Sequence, residues 1–339
     1  MRVRSWLTLI PGLAAALVSQ RASAQAFPVQ GSIERLDPAI NALIPQGAQV
    51  EKLADGFAWT EGPVWRKSGG YLLFSDIPRN TIYKWQQGAG LSMFMRPAGY
   101  SGATPSGREL GSNGLVFDAQ DVLVMADHGN RQIARVIDSN ATKITLADRY
   151  EGKRLNSPND LVYRSNGDLY FTDPPYGLQG INASPAKEQS FNGVFRLSPD
   201  GRLTLLTKDL TYPNGIALSP DEKTLYVAIS DGNRPLWMAY DVLADGNVGA
   251  GRVFFDPAAL VKAGKTGAPD GMKVDANGNL FATGPGGILV FTPQGKHLGT
   301  IVTGERTANV AFGDDGSTLY ITADHTLLRI RLSTKGKGF

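Results

Sequence analysis

Residues 159–173 read NDLVYRSNGDLYFTD: a polar pair, a short apolar run, the turn Ser165-Asn166-Gly167-Asp168, then a run rich in Leu, Tyr and Phe. Alternating apolar residues on both sides of an Asn-Gly turn predict a β-hairpin, because a two-residue period puts one face of each strand on a core. The pattern returns five more times. The copies are EGPVWRKSGGYLLFSD from Glu61, NGLVFDAQDVLVMAD from Asn113, NGIALSPDEKTLYVAI from Asn214, DGMKVDANGNLFATG from Asp270 and ANVAFGDDGSTLYITA from Ala308. Their starts lie about fifty residues apart, which is the spacing of a repeat architecture.

Two further strands follow each hairpin, such as GVFRL from Gly193 and RLTLLT from Arg202, or QIARVI from Gln132 and KITLA from Lys143. Four antiparallel strands in each of six units predict an all-β fold, a six-bladed β-propeller. The sixth unit lacks a fourth strand, since TLLRIRL from Thr326 is followed only by STKGKGF. Residues 49–53 (QVEKL), ahead of the first unit, are expected to fill that place as an N-terminal strand closing the last blade and covering its edge. A short helix is expected over residues 33–43. The chain then divides into residues 1–24, an N-terminal extension 25–48, the propeller 49–333 and a tail 334–339.

Residues 1–24 stand apart from the repeats. Arg2 and Arg4, an apolar stretch over residues 6–18 and Ala22-Ser23-Ala24 before Gln25 read as a cleavable signal peptide, too short to span a bilayer. A periplasmic or secreted protein is expected, with cleavage near Ala24 and no membrane association afterwards. Arg2, Arg4 and Arg21 leave with the leader, so 31 basic residues face 31 acidic ones. That balance gives nucleic acid no electrostatic footprint. With no Cys in the chain, stability rests on the core.

The tight turns join the first two strands of each unit at one end of the blades. The long connections, residues 96–112, 173–192 and 230–236, therefore gather at the other end, where each inner strand begins. Long loops on a rigid scaffold carry function. The residues that open the inner strands are Glu61, Asn113, Asn159, Asn214, Asp270 and Ala308. Around a propeller axis, five of these six present a carboxylate or amide oxygen to the channel. Hard oxygen ligands without Cys or an aligned His suit Ca²⁺. The alternative is that Asn-Gly and Asp-Gly simply repeat as turns. Glu61 speaks against it, being a poor turn former in the same register. The DANGN run from Asp275 lies at a hairpin and reads as a turn.

The motifs EGPVW, RLNSPNDLV, LYFTDPPYGL, YPNGIALSPD and APDGMKVD keep their order between about residues 54 and 331. Together they resemble the gluconolactonase branch of the regucalcin, gluconolactonase and luciferin-regenerating-enzyme family, and with the leader the chain looks most like exported bacterial gluconolactonases. The resemblance implies a six-bladed propeller holding a divalent metal through one Glu, two Asn and one Asp. These roles fall on Glu61, Asn159, Asn214 and Asp270. It implies calcium, with Zn²⁺, Mn²⁺ or Mg²⁺ as alternatives. The substrate it implies is a small-molecule sugar lactone, D-glucono-1,5-lactone hydrolysed to D-gluconate.

A dication in the ring would polarise the lactone carbonyl for attack by water, which needs a base. Asp270 is expected to be that base, although a metal-bound hydroxide with Asp270 only as ligand is the other route. Asn113 and Asn159 are expected to meet substrate, as are Asp173 and Tyr176 beside the longest loop. His128 is the second candidate base, whereas His297 and His325 fall outside the ring. Asp76 is read as capping a strand end. No Gly-x-Ser-x-Gly elbow, Cys or HExxH is present to suggest covalent or zinc-protease chemistry. Two rivals remain: a calcium-dependent phosphotriester hydrolase and a non-catalytic calcium- or ligand-binding propeller. A polar rim of Asp127, His128, Asp173 and Asn192 is expected to favour a sugar. The loop over residues 173–192 is expected to overhang the channel as a lid.

Overall fold

The strand Tyr71–Asp76 is buried along its whole length. Tyr71 and Leu73 enter one apolar cluster, Leu72 and Phe74 another. The two-residue alternation thus serves two neighbouring sheets at once. The same division sends Tyr170 one way and Leu169 and Phe171 the other. Six such clusters, each shared by two adjacent sheets, close a ring.

This computed structural model describes residues 26–103, 107–138 and 140–339; the leader read over residues 1–24 lies outside them. Six antiparallel sheets form the blades of a six-bladed β-propeller. Blade one runs from the inner strand Thr60–Arg66 through Tyr71–Asp76 and Thr81–Gln86 to the outer strand Gly90–Met95. The inner strands of blades two to six are Leu115–Phe117, Leu161–Tyr163, Pro213–Leu218, Met272–Val274 and Thr307–Gly313. The strand Val50–Asp55 pairs with Thr326–Arg331 on the outside of blade six, Val50 facing Ile330 and Asp55 facing Thr326. The ring therefore closes with the N-terminal strand expected from the sequence. Among the described residues no helix is long and apolar enough to cross a membrane.

The expected helix over residues 33–43 is not there. Ser32–Arg35 is a strand on the outer edge of blade five, giving that sheet a fifth strand. Only Pro38–Ala42 turns, as a 3-10 helix whose first turn is capped by Asp37 accepting the Ala39 N–H at 2.8 Å. The open edge of His297–Val302 offered unpaired backbone groups, and pairing them outweighed the local helical pattern. Ile40, Leu43 and Ile44 then pack into the core between blades five and six.

Side chains stitch the blades at the axis. Ser75 Oγ donates to Asn113 O at 2.8 Å, Thr172 Oγ1 to Asn214 O at 2.6 Å and Thr283 Oγ1 to Ala308 O at 2.9 Å. In each pair a hydroxyl on one blade's second strand holds the residue that opens the next blade's inner strand. The tail turns back under the ring, where Thr334 Oγ1 donates to Asp275 Oδ2 at 2.8 Å. Asp275 also accepts the N–H groups of Asn277 and Asn279, so DANGN is a turn.

Candidate active site

In blades one, four and six the pairing slips where the inner strand begins. Glu61 faces Ser75 but Val64 faces Leu73, and similar slips fall between Pro213 and Ile216 and between Thr307 and Asn309. Such bulges re-aim a side chain. In four blades the next residue is glycine because the neighbouring blade runs against it. A Cβ on Gly62 would lie 2.0 Å from Asn113 O, and one on Gly215 2.1 Å from Asp270 O. The bulge and the close approach together leave the opening side chain one direction, toward the axis. Glu61, Asn113, Asn159, Asn214 and Asp270 all line one cavity of about 420 Å³ at the mouth of the channel.

The other two blades break the glycine rule, and their side chains fill the channel. Asn309 Nδ2 donates to Glu61 Oε2 at 3.2 Å and stands 3.5 Å from Asp160 Oδ2. Glu61, Asp160 and Asp270 are thus buried acids close enough to feel one another's charge. Burial, and behind it the charge of Asp160, push the Glu61 carboxyl up to about 8, although the Gly62 N–H at 2.9 Å and Asn309 favour the ion. Burial, then the charges of Glu61 and Asp160, hold Asp270 well above the ordinary carboxylate range; Arg306 offsets part of this. Like charges brought together out of water raise one another.

Among the described residues five buried side-chain oxygens make no hydrogen bond; besides Asn156 Oδ1 and the Tyr176 hydroxyl they are Asn113 Oδ1, Asn214 Oδ1 and Asp270 Oδ1. These last three residues line the same cavity. The Asn214 amide is oriented by Ser230, its Nδ2 donating to Ser230 Oγ at 2.8 Å. Among the described residues no three His, Cys, Asp or Glu side chains gather to hold a metal. The donor set here is instead two carboxylates with amide oxygens, and it fits a hard dication. Unpartnered acceptors beside mutually repelling acids are what such an ion would satisfy.

Several expected site residues lie elsewhere. Asp173 is fully buried and does not line the cavity. Its oxygens accept the N–H groups of Asn156 at 2.8 Å and Ser157 at 2.9 Å, which fixes the approach to Asn159. Asp76 does the same for Glu61, accepting from Ala58 at 3.1 Å and Trp59 at 3.2 Å. Asp127 is enclosed by Lys143 Nζ at 2.6 Å, Asn130 and Gln132. Asn192 is buried and donates to Asn182 Oδ1 at 3.1 Å. His128 is buried behind the wall, its Nδ1 3.1 Å from Pro158 O. The expected polar rim is therefore an interior layer, because strand-end acids on this face are taken up by backbone N–H groups and a lysine. His297 and His325 sit beside backbone carbonyls, away from the ring.

The lid reading is narrowed in the same way. Of residues 173–192 only Tyr176 lines the cavity, stacked on Tyr212 with ring centroids 5.7 Å apart. The remainder is tied down outside the mouth: Gln189 Nε2 donates to the carbonyls of Tyr150 and Lys153 at 3.1 Å, and Arg131 Nη1 to Ala186 O at 3.0 Å.

Sequence reasoning missed much of the actual rim. Trp59, Arg108, Glu109, Ser230 and Arg306 line the mouth together with Tyr176. The Arg306 guanidinium lies 5.6 Å from the Trp59 ring centroid. Asp160 carried a signal that went unused: it stands where four other repeats hold glycine. Glu109 and Arg108 fall outside the repeat register and had none.

A family model described as the SMP-30/Gluconolactonase/LRE-like region matches residues 59–325. A gluconolactonase from Zymomonas mobilis is 43% identical over 317 residues, covering 90% of this chain and 87% of the relative. A lactonase from Staphylococcus aureus is 34% identical over 150 residues, 42% of this chain and 41% of its own. The solved structure of a gluconolactonase from Xanthomonas campestris superposes with a TM-score of 0.78 at 32% identity, covering 91% of this chain and 98% of that one. Regucalcin from Agrobacterium tumefaciens, described as calcium-binding, gives 0.65 at 18% identity over 93% and 98% of the two chains, a likeness of fold alone. With the repeats, the ring and the match across residues 59–325 in agreement, the chain belongs to the SMP-30/gluconolactonase/LRE-like family.

Proposed function

We propose that the chain is a lactone hydrolase whose substrate is a sugar lactone, glucono-1,5-lactone first among them, and whose axial ring holds a divalent cation, calcium by preference. The observation that carries this reading is the convergence of three unpartnered buried oxygens, on Asn113, Asn214 and Asp270, into one cavity beside the Glu61 carboxyl.

Glu61, Asn159, Asn214 and Asp270 would hold the cation. The cation they hold would supply polarisation of the lactone carbonyl and stabilisation of the charge that develops on its oxygen. Asn113 supplies an amide oxygen that accepts a hydrogen bond from a sugar hydroxyl. Tyr176 supplies a buried hydroxyl with no partner of good geometry, near Ser230, Asp270 and Glu109. Arg108 and Arg306 bring donors to the outer mouth. A cavity of about 420 Å³ admits a single sugar ring and is small for a drug-sized ligand. Names of relatives support the lactone: a gluconolactonase covers nearly the whole chain.

The test is acid release from glucono-1,5-lactone in weak buffer, measured above the spontaneous rate for chelator-stripped protein and again after calcium is restored. Catalysis that vanishes on stripping and returns with calcium is expected. Catalysis unchanged by stripping would remove the cation, and none under either condition would remove the lactone.

A further inference from the structure

We propose that Glu109, backed by the buried imidazole of His128, is the catalytic residue that takes the proton from the attacking water and returns it to the departing ring oxygen, leaving Asp270 to the cation. This rests on the lactone-hydrolase reading above.

Glu109 is held in place by its chain neighbours. Its neighbours are fixed on both sides: Arg108 N–H donates to Gly177 O at 2.8 Å, and Leu110 O accepts from Tyr100 N–H at 2.7 Å. Gly177 itself is pressed on His128, since a Cβ there would lie 2.5 Å from the ring Cδ2. One packed unit therefore carries Glu109, His128 and Tyr176. Glu109 alone of the acids outside the ring lines the cavity.

The hydrogen-bond arithmetic of His128 supplies the chemistry. Nδ1 lies 3.1 Å from Pro158 O, and a carbonyl oxygen only accepts, so Nδ1 carries a hydrogen. The other nitrogen, Nε2, is buried and has no aligned hydrogen bond; its neighbour is Glu109 Oε2 at 3.2 Å. In a neutral ring with hydrogen on Nδ1, Nε2 is an acceptor. Two acceptors at that distance repel, and a proton taken up by Glu109 would lie between them, so the pair is built to receive one proton. The other groups facing it are Arg108, whose Nη1 is 3.2 Å from Glu109 Oε1, with Tyr176 on the cavity side and Asp173 behind. Arg108 steadies the carboxylate, and His128 can share its proton.

The step balances. Glu109 accepts one proton as the water oxygen bonds to the lactone carbonyl carbon and the carbonyl π pair moves onto its oxygen. Collapse reforms the C=O and breaks the bond to the ring oxygen, which leaves with the proton that Glu109 returns. One lactone and one water give one hydroxy acid, and Glu109 ends as it began. His128 is a positioning residue that steadies the protonated and unprotonated states of its partner.

The experiment compares wild type, Glu109→Gln, Glu109→Ala and His128→Gln on glucono-1,5-lactone, at saturating calcium, with calcium affinity measured by calorimetry. Glu109→Gln should lower kcat by about a hundredfold or more, the usual contribution of a general base, with KM and calcium affinity little changed. Formate should restore part of the activity to Glu109→Ala. His128→Gln should lower kcat about tenfold and move the acid limb of the pH profile, which a purely structural role would not do. Wild-type kcat in Glu109→Gln overturns the proposal. So does a calcium affinity that falls along with turnover, which would make Glu109 a ligand, or a change confined to KM, which would make it a substrate contact. A wild type inert toward the lactone takes down the lactone reading and this proposal with it, whereas an active wild type beside an active Glu109→Gln sinks the proposal alone.

Discussion

Two sets of polar groups share the loop face of this propeller, one ring outside the other, and they are built on opposite terms. Asp76, Asp127 and Asp173 end the second strands of blades one, two and three, and each is fully buried. All are saturated with donors. Asp76 holds the two residues that lie three and two places before Glu61, and Asp173 holds the two at the same offsets before Asn159. The inner ring, a few residues further along, has carboxylates facing each other and amide oxygens facing nothing. A buried acceptor without a donor costs free energy, and several converging on one cavity are what a bound ligand would satisfy. Satisfied acids on this face belong to the fold, and unsatisfied ones to the ligand.

The largest effect expected from breaking that contrast is on the outer set. Asp173→Ala strips the acceptors from the Asn156 and Ser157 N–H groups, each buried at the foot of the loop that delivers Asn159. A backbone donor left unsatisfied costs about 1–3 kcal/mol, so a loss of roughly 2–6 kcal/mol is expected. Denaturant unfolding measures it. The calcium affinity of whatever remains folded should fall as well, because a ligand has lost its seat. A variant as stable as wild type with altered lactone selectivity would return Asp173 to the substrate and erase the contrast.

The inner set should respond with the reverse sign. Asp270→Asn removes a charge that Glu61 and Asp160 oppose, so the chelated protein should become more stable while calcium affinity drops about ten- to a hundredfold, or roughly 1.4–2.7 kcal/mol. Glu61→Gln should behave alike. With Glu109 as the base, excess calcium should restore most of the turnover in both. Titration calorimetry and thermal melts in chelator read the two halves separately. Loss of stability in the chelated Asp270→Asn protein would show that the ring belongs to the fold after all.

The sequence made the inner set legible because ring residues recur at one register, and a repeat fixes which strand end each copy occupies. Glu61 was visible for being out of character at a turn. The outer set was misread for a physical reason: a strand-end position reveals the face a side chain occupies but not whether backbone N–H groups have already claimed it. Asp173 and His128 looked like a rim and proved to be its support. Residues off the register, Glu109, Arg108 and Arg306, reach the mouth through loops whose course depends on tertiary contacts such as Arg108 N–H to Gly177 O. The edge strand Ser32–Arg35 was hidden likewise, because its partner Gly299–Val302 lies far along the chain.

The smallest effect, and the one that separates the two sets most cleanly, is in pH. Glu61 is pushed up to about 8 in the folded chain from an ordinary 4.5, and Asp173 to about 7 from 3.8, burial being the first cause of both. A carboxyl raised on folding contributes stability that is complete below its unfolded value and is lost as pH rises through the folded one. The chelated protein should therefore lose stability steadily from about pH 4.5 to about pH 8, both acids contributing. In the proposed site calcium would engage Glu61 and leave Asp173 untouched. The stabilisation gained from calcium should then widen as pH rises from 5.5 to 8, by on the order of 1–2 kcal/mol, or a few degrees in Tm. Glu61→Gln has no such carboxyl, so its calcium gain should be smaller and flatter across the same range, with the Asp173 slope still present in chelator. Melting curves over that pH range, with calcium and with chelator, measure all of this. A wild-type calcium gain that is flat with pH would mean that Glu61 is not held protonated in the empty channel, and the inner acids would then be as well satisfied as the outer ones.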